Sequence, residues 1–384
     1  MKRISSKLAS SGTTIFTVMT RLAERHGAIN LAQGFPDFQP PARLQELVTY
    51  HLRAGRNQYA PMTGVRALRE AVAAKVQTLY GARVDAEAEI TITSGATEAI
   101  FCAVQAVVQP GDEVVVLDPA YDSYAPAVKL AGGNTVHVPL AAPGFSVDWE
   151  RLEGSLGPRT RLVIINSPHN PTGTVLGAAD LERLAALLRP YDCLVVSDEV
   201  YEHVVFDGLR HASVLAHAEL AERSFAVSSF GKTYHATGWK IGYCVAPREL
   251  AEEFRRIHQY VTFAAAAPLQ HALADYLVEA PEHYLTLPEF YQAKRDYFAA
   301  LLEGSRFTLP RASGTYFQLA DFSAISELDD VEFARRLTIE HGVAAIPVSV
   351  FYAQAPRDRL VRFCFAKEPS TLDAAAARLR AVAA

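Results

Sequence analysis

Ser228-Ser229-Phe230-Gly231-Lys232-Thr233-Tyr234-His235-Ala236-Thr237-Gly238-Trp239-Lys240-Ile241-Gly242 is a run of mostly small residues carrying two lysines between two apolar stretches. Upstream, Ser224 to Val227 reads as a buried strand, and downstream Ile241 to Ala246 reads as another. The lysines therefore fall in a connection anchored by a sheet at both ends. An ammonium is costly to bury, but low-dielectric surroundings also lower its pKa and make the amine a usable nucleophile or Schiff-base former. The stretch reads as an active-site segment.

The chain around it alternates. Strands are predicted at Ile90–Thr93, Glu113–Leu117, Thr135–Leu140, Arg161–Asn166 and Cys193–Ser197, with helices at Ala96–Val108, Tyr121–Ala131 and Ala178–Leu188 between them. Near-continuous apolar strands separated by helices imply an α/β fold with a parallel or mixed sheet covered on both faces. Ligands of such sheets bind at the carboxyl ends of the strands. Before this region, helices are predicted at Arg43–Ala54 and Val65–Tyr80, separated by Asn57-Gln58-Tyr59-Ala60-Pro61-Met62-Thr63-Gly64. Earlier still, Ala32-Gln33-Gly34-Phe35-Pro36-Asp37-Phe38 clusters glycine, proline and aromatics as a structured loop. It is either a binding loop or an ordinary connection. After helices at Arg248–Tyr260 and Ala267–Val278, a long helical stretch over Pro281–Glu303 ends the rhythm and opens a second, α+β lobe. That lobe is read as strands near Arg306–Leu309 and Thr315–Leu319, a helix at Asp330–His341, strands at Val343–Ile346 and Leu360–Phe365, and a terminal Ala-rich helix.

At 384 residues the chain exceeds the size at which single cores stop growing, which fits two lobes. Half the residues are hydrophobic, 21% are charged, and the net charge of -5 supplies no basic field for nucleic acid or an anionic membrane. Cys102, Cys193, Cys244 and Cys364 sit singly in apolar runs without C-x-x-C spacing, as buried free thiols would in the cytoplasm. Lys2, Arg3 and Lys7 precede Ser, Gly and Thr rather than the apolar core of a signal peptide, and no stretch has the length of a membrane span.

Each strand end carries a different group. Ser94-Gly95-Ala96-Thr97 opens a helix, where free N–H groups and the dipole suit a phosphate; a plain helix cap fits the same residues. Asp118-Pro119-Ala120-Tyr121 brings an aromatic ring, which in isolation reads as a core or surface tyrosine, and Ser167-Pro168-His169-Asn170-Pro171-Thr172-Gly173 a rigid turn with an asparagine amide. Asp198-Glu199-Val200-Tyr201 brings a carboxylate, which acts on a ligand or merely caps the next helix. Together with the two lysines, these groups suit a planar, phosphorylated heteroaromatic aldehyde.

Asn170-Pro171-Thr172-Gly173, Ser197-Asp198-Glu199-Val200-Tyr201 and Ser229-Phe230-Gly231-Lys232 resemble the motifs of the class I/II aminotransferases, which have the type I fold of pyridoxal phosphate (PLP) enzymes. The resemblance runs from the Gln33–Asp37 loop to Arg362. Thr237–Gly242 and Gly34–Phe38 are similar to the branch of methionine, kynurenine and glutamine transaminases. Many class members have arginine where this chain has Lys240. The resemblance implies a large PLP-binding domain over 45–280 with a mostly parallel mixed sheet. It also implies a small domain over 281–384 that is joined by the N-terminal segment 1–44. Lys232 is implied to join PLP as a Schiff base and to move the substrate's α-proton, and Asp198 to keep the pyridine nitrogen protonated. Asn170 and Tyr201 are implied to bond the phenolic oxygen, and Tyr121 to stack on the ring. Ala96, Thr97, Ser229 and Lys240 are implied to hold the phosphate, joined by Tyr59 of a neighbouring subunit, which makes the enzyme a homodimer. Arg362 is implied to grip the substrate carboxylate, with Gly34 adding a backbone contact and Asn170 beside it. Phe16, Tyr121 and Phe263 are implied to line the side-chain site. The expected reaction is ping-pong transfer of an amino group from a methionine-like, aromatic, kynurenine or glutamine donor to a 2-oxo acid.

Other readings are weaker. Gly231-Lys232-Thr233 ends like a P-loop, but G-x-x-x-x-G-K-[ST] requires glycine where Ala226 stands. The same fold hosts C–S β-lyases, so the fold alone leaves the reaction type open. A non-enzymatic ligand sensor would be expected to carry a DNA-binding segment, and none is readable. His169, His203 and His235 lack a metal-ligand pattern, so no metal is expected.

Overall fold

The computed structural model describes residues 5–8 and 12–382. Lys2 and Arg3, like the last two residues of the Ala-rich tail, lie outside the described residues. Among the described residues twelve strands are formed: β1 (Ile29–Asn30), β2 (Ile90–Thr93), β3 (Glu113–Asp118), β4 (Asn134–Pro139), β5 (Thr160–Asn166), β6 (Leu194–Asp198), β7 (Ser224–Ser229), β8 (Gly242–Val245), β9 (Phe317–Asp321), β10 (Val343–Ala344), β11 (Ile346–Pro347) and β12 (Leu360–Cys364).

Seven of them make one sheet in the order β2-β8-β7-β6-β5-β3-β4. All neighbours from β7 to β4 run parallel, and β8 runs antiparallel to both β2 and β7. This is the mixed α/β sheet expected from the alternation. Its central strands are Val/Ile-rich and buried because helices cover both faces. Helices Ala96–Val107 and Arg248–Val261 pack Ala103, Val104 and Phe254 on one face. A larger apolar cluster fills the other and continues into the C-terminal strands. The order of the parallel strands brings the ends of β5, β6 and β7 side by side, so the residues just past them share one rim.

Beyond this sheet, β1 pairs with β10 in parallel, and β9, β12 and β11 form an antiparallel sheet that places Arg362 opposite Leu319 and Ile346. Several boundaries differ from expectation. The stretch Pro281–Glu303 is two helices, Glu282–Leu285 and Leu287–Leu301, because Pro288 suits a helix start and cannot supply the N–H that continuation needs. Val343–Ile346 is split at Ala345, where the chain passes from one small sheet to the other. Thr315 has φ +62°, which keeps it out of the ladder, so β9 starts at Phe317. Arg306–Leu309 makes only a single bridge, Thr308 to Asp321, before Pro310. The helix expected from Tyr121 begins at Tyr124, because Ala120 N–H is drawn to the Phe351 carbonyl at 2.7 Å and holds Tyr121 in the preceding turn. The chain also forms an N-terminal helix, Ile15–His26, outside the elements expected from the spacing; the Thr14 side chain caps its start and Gly27 closes it in the left-handed conformation. All four cysteines are buried free thiols. No helix among the described residues is long and apolar enough to cross a membrane.

Candidate active site

One cavity opens at the carboxyl ends of the parallel strands, lined by Gly95, Ala96, Thr97, Tyr121, Asn170, Asp198, Tyr201, Ser229, Lys232 and Lys240 among others. Four strand ends and the two-lysine loop therefore converge. Lys232 lies in a single helical turn, Phe230–Thr233, directly after β7. Its Nζ donates to the Tyr316 hydroxyl at 3.0 Å and, more weakly, to the Gly34 carbonyl at 3.4 Å. Burial lowers its pKa to about 8.

Asp198 is the last residue of β6. Its carboxylate accepts from Tyr124 Oη at 2.6 Å and from the Val200 N–H at 3.3 Å. Burial outweighs these donors and pushes its pKa up to about 6. Asn166, which ends β5, donates to the Asp198 carbonyl and accepts the Asn170 N–H, each at 2.8 Å, so the two strand ends are tied together. Burial raises the phenol of Tyr121 to about 12 and that of Tyr201 further, so both are neutral donors at ordinary pH.

Helix Ala96–Val107 starts without a side-chain cap, since Gly95 stands there at φ +81°. Its first-turn N–H groups have no partner within the helix. Glu98 takes the N–H of Ser94, at 2.9 Å, leaving those of the next residues turned to the cavity end of the helix. A Cβ on Gly95 would come within 3.3 Å of Lys240 Cε and Nζ, so the ammonium lies against this helix start. A Cβ on Gly242 would meet Ala96 N at 2.9 Å, and only glycine allows β8 to pass so close.

Arg362 is fully buried in β12. One terminal nitrogen donates to Asn170 Oδ1 at 2.7 Å and the other to the Ala32 carbonyl at 2.9 Å, while Nε has no partner. The guanidinium lies 3.8 Å from the Phe317 ring centre, with Phe16 and Phe351 farther out. Phe16 also neighbours Tyr121 at 6.5 Å. Asn170 thus ties Arg362 to the cavity wall, and Gly34 touches Lys232. Tyr59 and Phe263 do not line this cavity. They pack edge-to-face on each other at 5.5 Å in an exposed patch.

Sequence reasoning missed Tyr124, Asn166 and Tyr316. Tyr124 lies three residues after Tyr121, and Asn166 is the last residue of its strand, so position was a signal that could have found both. Tyr316 had no such signal, because its contact with Lys232 spans 84 positions.

Residues 26–379 match the family model for aminotransferase class I and II. The chain is 56% identical to methionine aminotransferase of Escherichia coli over 98% of its own length and 97% of the relative's. It is 41% identical to a probable N-succinyldiaminopimelate aminotransferase of Mycobacterium tuberculosis over 98% of each chain. With human kynurenine–oxoglutarate transaminase 3 it shares 33% identity over 97% and 88%. The crystal structure of Escherichia coli YbdL, for which a methionine aminotransferase function was identified, superposes with a TM-score of 0.97 over 99% of this chain and 100% of that one, at 56% identity.

Proposed function

The chain belongs to the class I and II aminotransferases, and on that premise we propose that it moves the amino group of an L-amino acid with an apolar side chain, methionine foremost, to a 2-oxo acid, using PLP in the strand-end cavity. The observation that carries this reading is the convergence on one cavity of the Lys232 amine, the Asp198 carboxylate and an uncapped helix start, beside a buried arginine whose Nε is unpaired.

The residues fit the cofactor. The N–H groups of Ala96 and Thr97, the Ser229 hydroxyl and the Lys240 ammonium would hold its phosphate, since a helix N-terminus and a cation both favour the dianion. Lysine at position 240 does this as a point charge, without the two-pronged geometry of arginine. Asp198, buried and in no salt bridge among the described residues, would pair with the pyridine nitrogen. Asn170 has its Oδ1 engaged by Arg362, which leaves its amide N–H₂ to donate to the phenolic oxygen beside Tyr201. Tyr121 would cover one face of the ring. Bound PLP supplies a protonated ring that takes up the electrons left when the substrate's Cα–H bond breaks.

The chain's own residues do the rest. Arg362 would bind the substrate carboxylate through its free Nε, with Gly34 and Asn170 completing the contact. Lys232 would hold the cofactor and, once displaced by the substrate amine, take the Cα proton on Nζ and later return it. Its lowered pKa near 8 keeps a usable neutral fraction at neutral pH. Phe16 and Tyr121 would receive an apolar side chain. Tyr59 and Phe263, exposed on one chain, would complete the site of a second copy in a homodimer, Tyr59 at its phosphate. We take the large domain as 45–280 and the small domain as 281–384 plus residues 1–44, and the location as cytoplasmic, in keeping with four free thiols.

A half-reaction screen tests the proposal. Loaded protein is mixed with each common amino acid, and conversion of the bound cofactor is followed by absorbance. Methionine, aromatic donors and glutamine are expected to respond, with aspartate slow. Release of ammonia, thiol and pyruvate from cystathionine in place of amino transfer would overturn it.

A further inference from the structure

A lysine used as a base has to be held in place, because its four-carbon stem leaves Nζ free to turn among several rotamers. The hydrogen bonds of Lys232 Nζ here go to two groups outside its own segment, Tyr316 Oη at 3.0 Å and Gly34 O at 3.4 Å. Tyr316 Oη in turn donates to Gly34 O at 2.8 Å. A phenol has one proton. Tyr201 is a second hydrogen-bonding neighbour of this hydroxyl, and with the phenol proton on the Gly34 carbonyl the oxygen accepts from Lys232.

The polarity of this bond matters. An amine that donates an N–H to its neighbour keeps its lone pair, whereas an amine that accepts a proton from its neighbour loses it as a base. Tyr316 is itself immobile. Its ring is fully buried and packs edge-on against Tyr201 at 5.1 Å and Phe317 at 5.0 Å, with Tyr291 at 5.6 Å. Its carbonyl accepts the Phe365 N–H, and the next residue begins β9, the neighbour of the strand that carries Arg362. The sheet that positions the carboxylate-binding arginine therefore also sets where the lysine amine rests.

We propose that Tyr316 is a positioning residue for proton transfer: with its hydroxyl proton fixed on Gly34, it holds one N–H of Lys232 and leaves the amine lone pair for the substrate's Cα proton. In that step the Cα–H bond breaks, its electron pair stays on the substrate side, and the proton forms a new N–H bond on Lys232. The proposal rests on the aminotransferase reading, with Lys232 as the base.

Tyr316→Phe tests it, since the ring and its packing are kept and only the hydroxyl is removed. Two measurements are made on the full chain. In the loaded protein, half-reactions with L-methionine and its α-deuterated form should slow roughly 10- to 100-fold. The deuterium effect should rise above that of the unaltered protein, and KM should move less than about 3-fold. In the cofactor-free protein, the pH midpoint for acylation of Lys232, located by mass spectrometry, should fall by roughly 0.5 to 1 unit, because the ammonium loses an acceptor. An unchanged isotope effect with an unmoved midpoint overturns the proposal. So does weaker cofactor loading or lower melting temperature without a change in the isotope effect, since that pattern marks a structural role only. If the unaltered protein converts no amino acid, the aminotransferase reading fails instead, and the acylation midpoint still decides whether Tyr316 holds the amine.

Discussion

Replacing Asp198 by asparagine should make the cofactor-free protein more stable while disabling it. The Asp198 carboxyl is buried, and its pKa is pushed up to about 6 from 3.8, chiefly by desolvation. A folded-state pKa above the unfolded value means that the folded chain binds more protons between the two, so stability falls as pH rises through that window. At pH 8 the cost is complete. A shift of about 2 units corresponds to about 3 kcal/mol. Asparagine removes the charge; its oxygen can still accept from the Val200 N–H, and its amide can donate to Tyr124 Oη, which reverses the direction of that bond. The entropy of unfolding of a chain this long is about 0.8 kcal/mol/K, so the gain corresponds to roughly 4 °C in melting temperature. The assay is thermal unfolding of cofactor-free Asp198→Asn and unaltered protein at pH 4 and pH 8. The variant should melt higher at pH 8, and the difference should shrink at pH 4, where the aspartate is protonated in the folded state. A variant that melts lower at pH 8, or a difference independent of pH, would refute the reasoning. Adding PLP should raise the melting temperature of the unaltered protein more than that of the variant, because only the former would offer a carboxylate to the pyridine nitrogen.

Lys232→Ala should abolish turnover and the absorbance of the Schiff base between lysine and cofactor; normal activity in steady-state assays would remove Lys232 from the mechanism. Asp198→Ala should cost at least about 100-fold in rate, whereas Glu199→Gln should mainly lower the melting temperature, since Glu199 anchors Ser197, the Val214 N–H and His211. Equal rate effects would mean that the pyridine partner is misassigned. Gly34→Ala would place a Cβ 2.5 Å from Phe317 Cζ and displace the ring whose centre lies 3.8 Å from the Arg362 guanidinium. Overpacking of about 1–3 kcal/mol should appear in the melting curve, together with a KM for amino acids raised roughly 10-fold, and an unaltered KM would contradict the crowding. Arg362→Lys should raise KM about 100-fold, because an ammonium cannot replace two bonds to Asn170 and Ala32 and still offer an N–H in the position of Nε to the carboxylate; a near-normal KM in substrate titrations would count against its role.

The sequence by itself determined the α/β sheet and the cavity-lining groups at its strand ends. Apolar runs of strand length, broken by helical spacing and turn residues, leave little freedom, and the residue after a buried strand must emerge at the rim. Asp198, Asn170, Tyr121 and Lys232 were legible for that reason. Only the tertiary structure decided how these groups are set. The free Nε of Arg362, the pairing of Tyr124 with Asp198 and the bond from Lys232 to Tyr316 join residues 74 to 192 positions apart or depend on what fails to pair. No local pattern encodes such contacts. The two lysines of the Ser228–Gly242 stretch, alike in the sequence, differ in the folded chain: Lys232 is held through its own N–H by a phenol from the C-terminal part of the chain, and Lys240 lies against the helix start at Gly95. That difference arises because burial and partner geometry are properties of the packed chain, while the identity of each side chain is fixed before it folds.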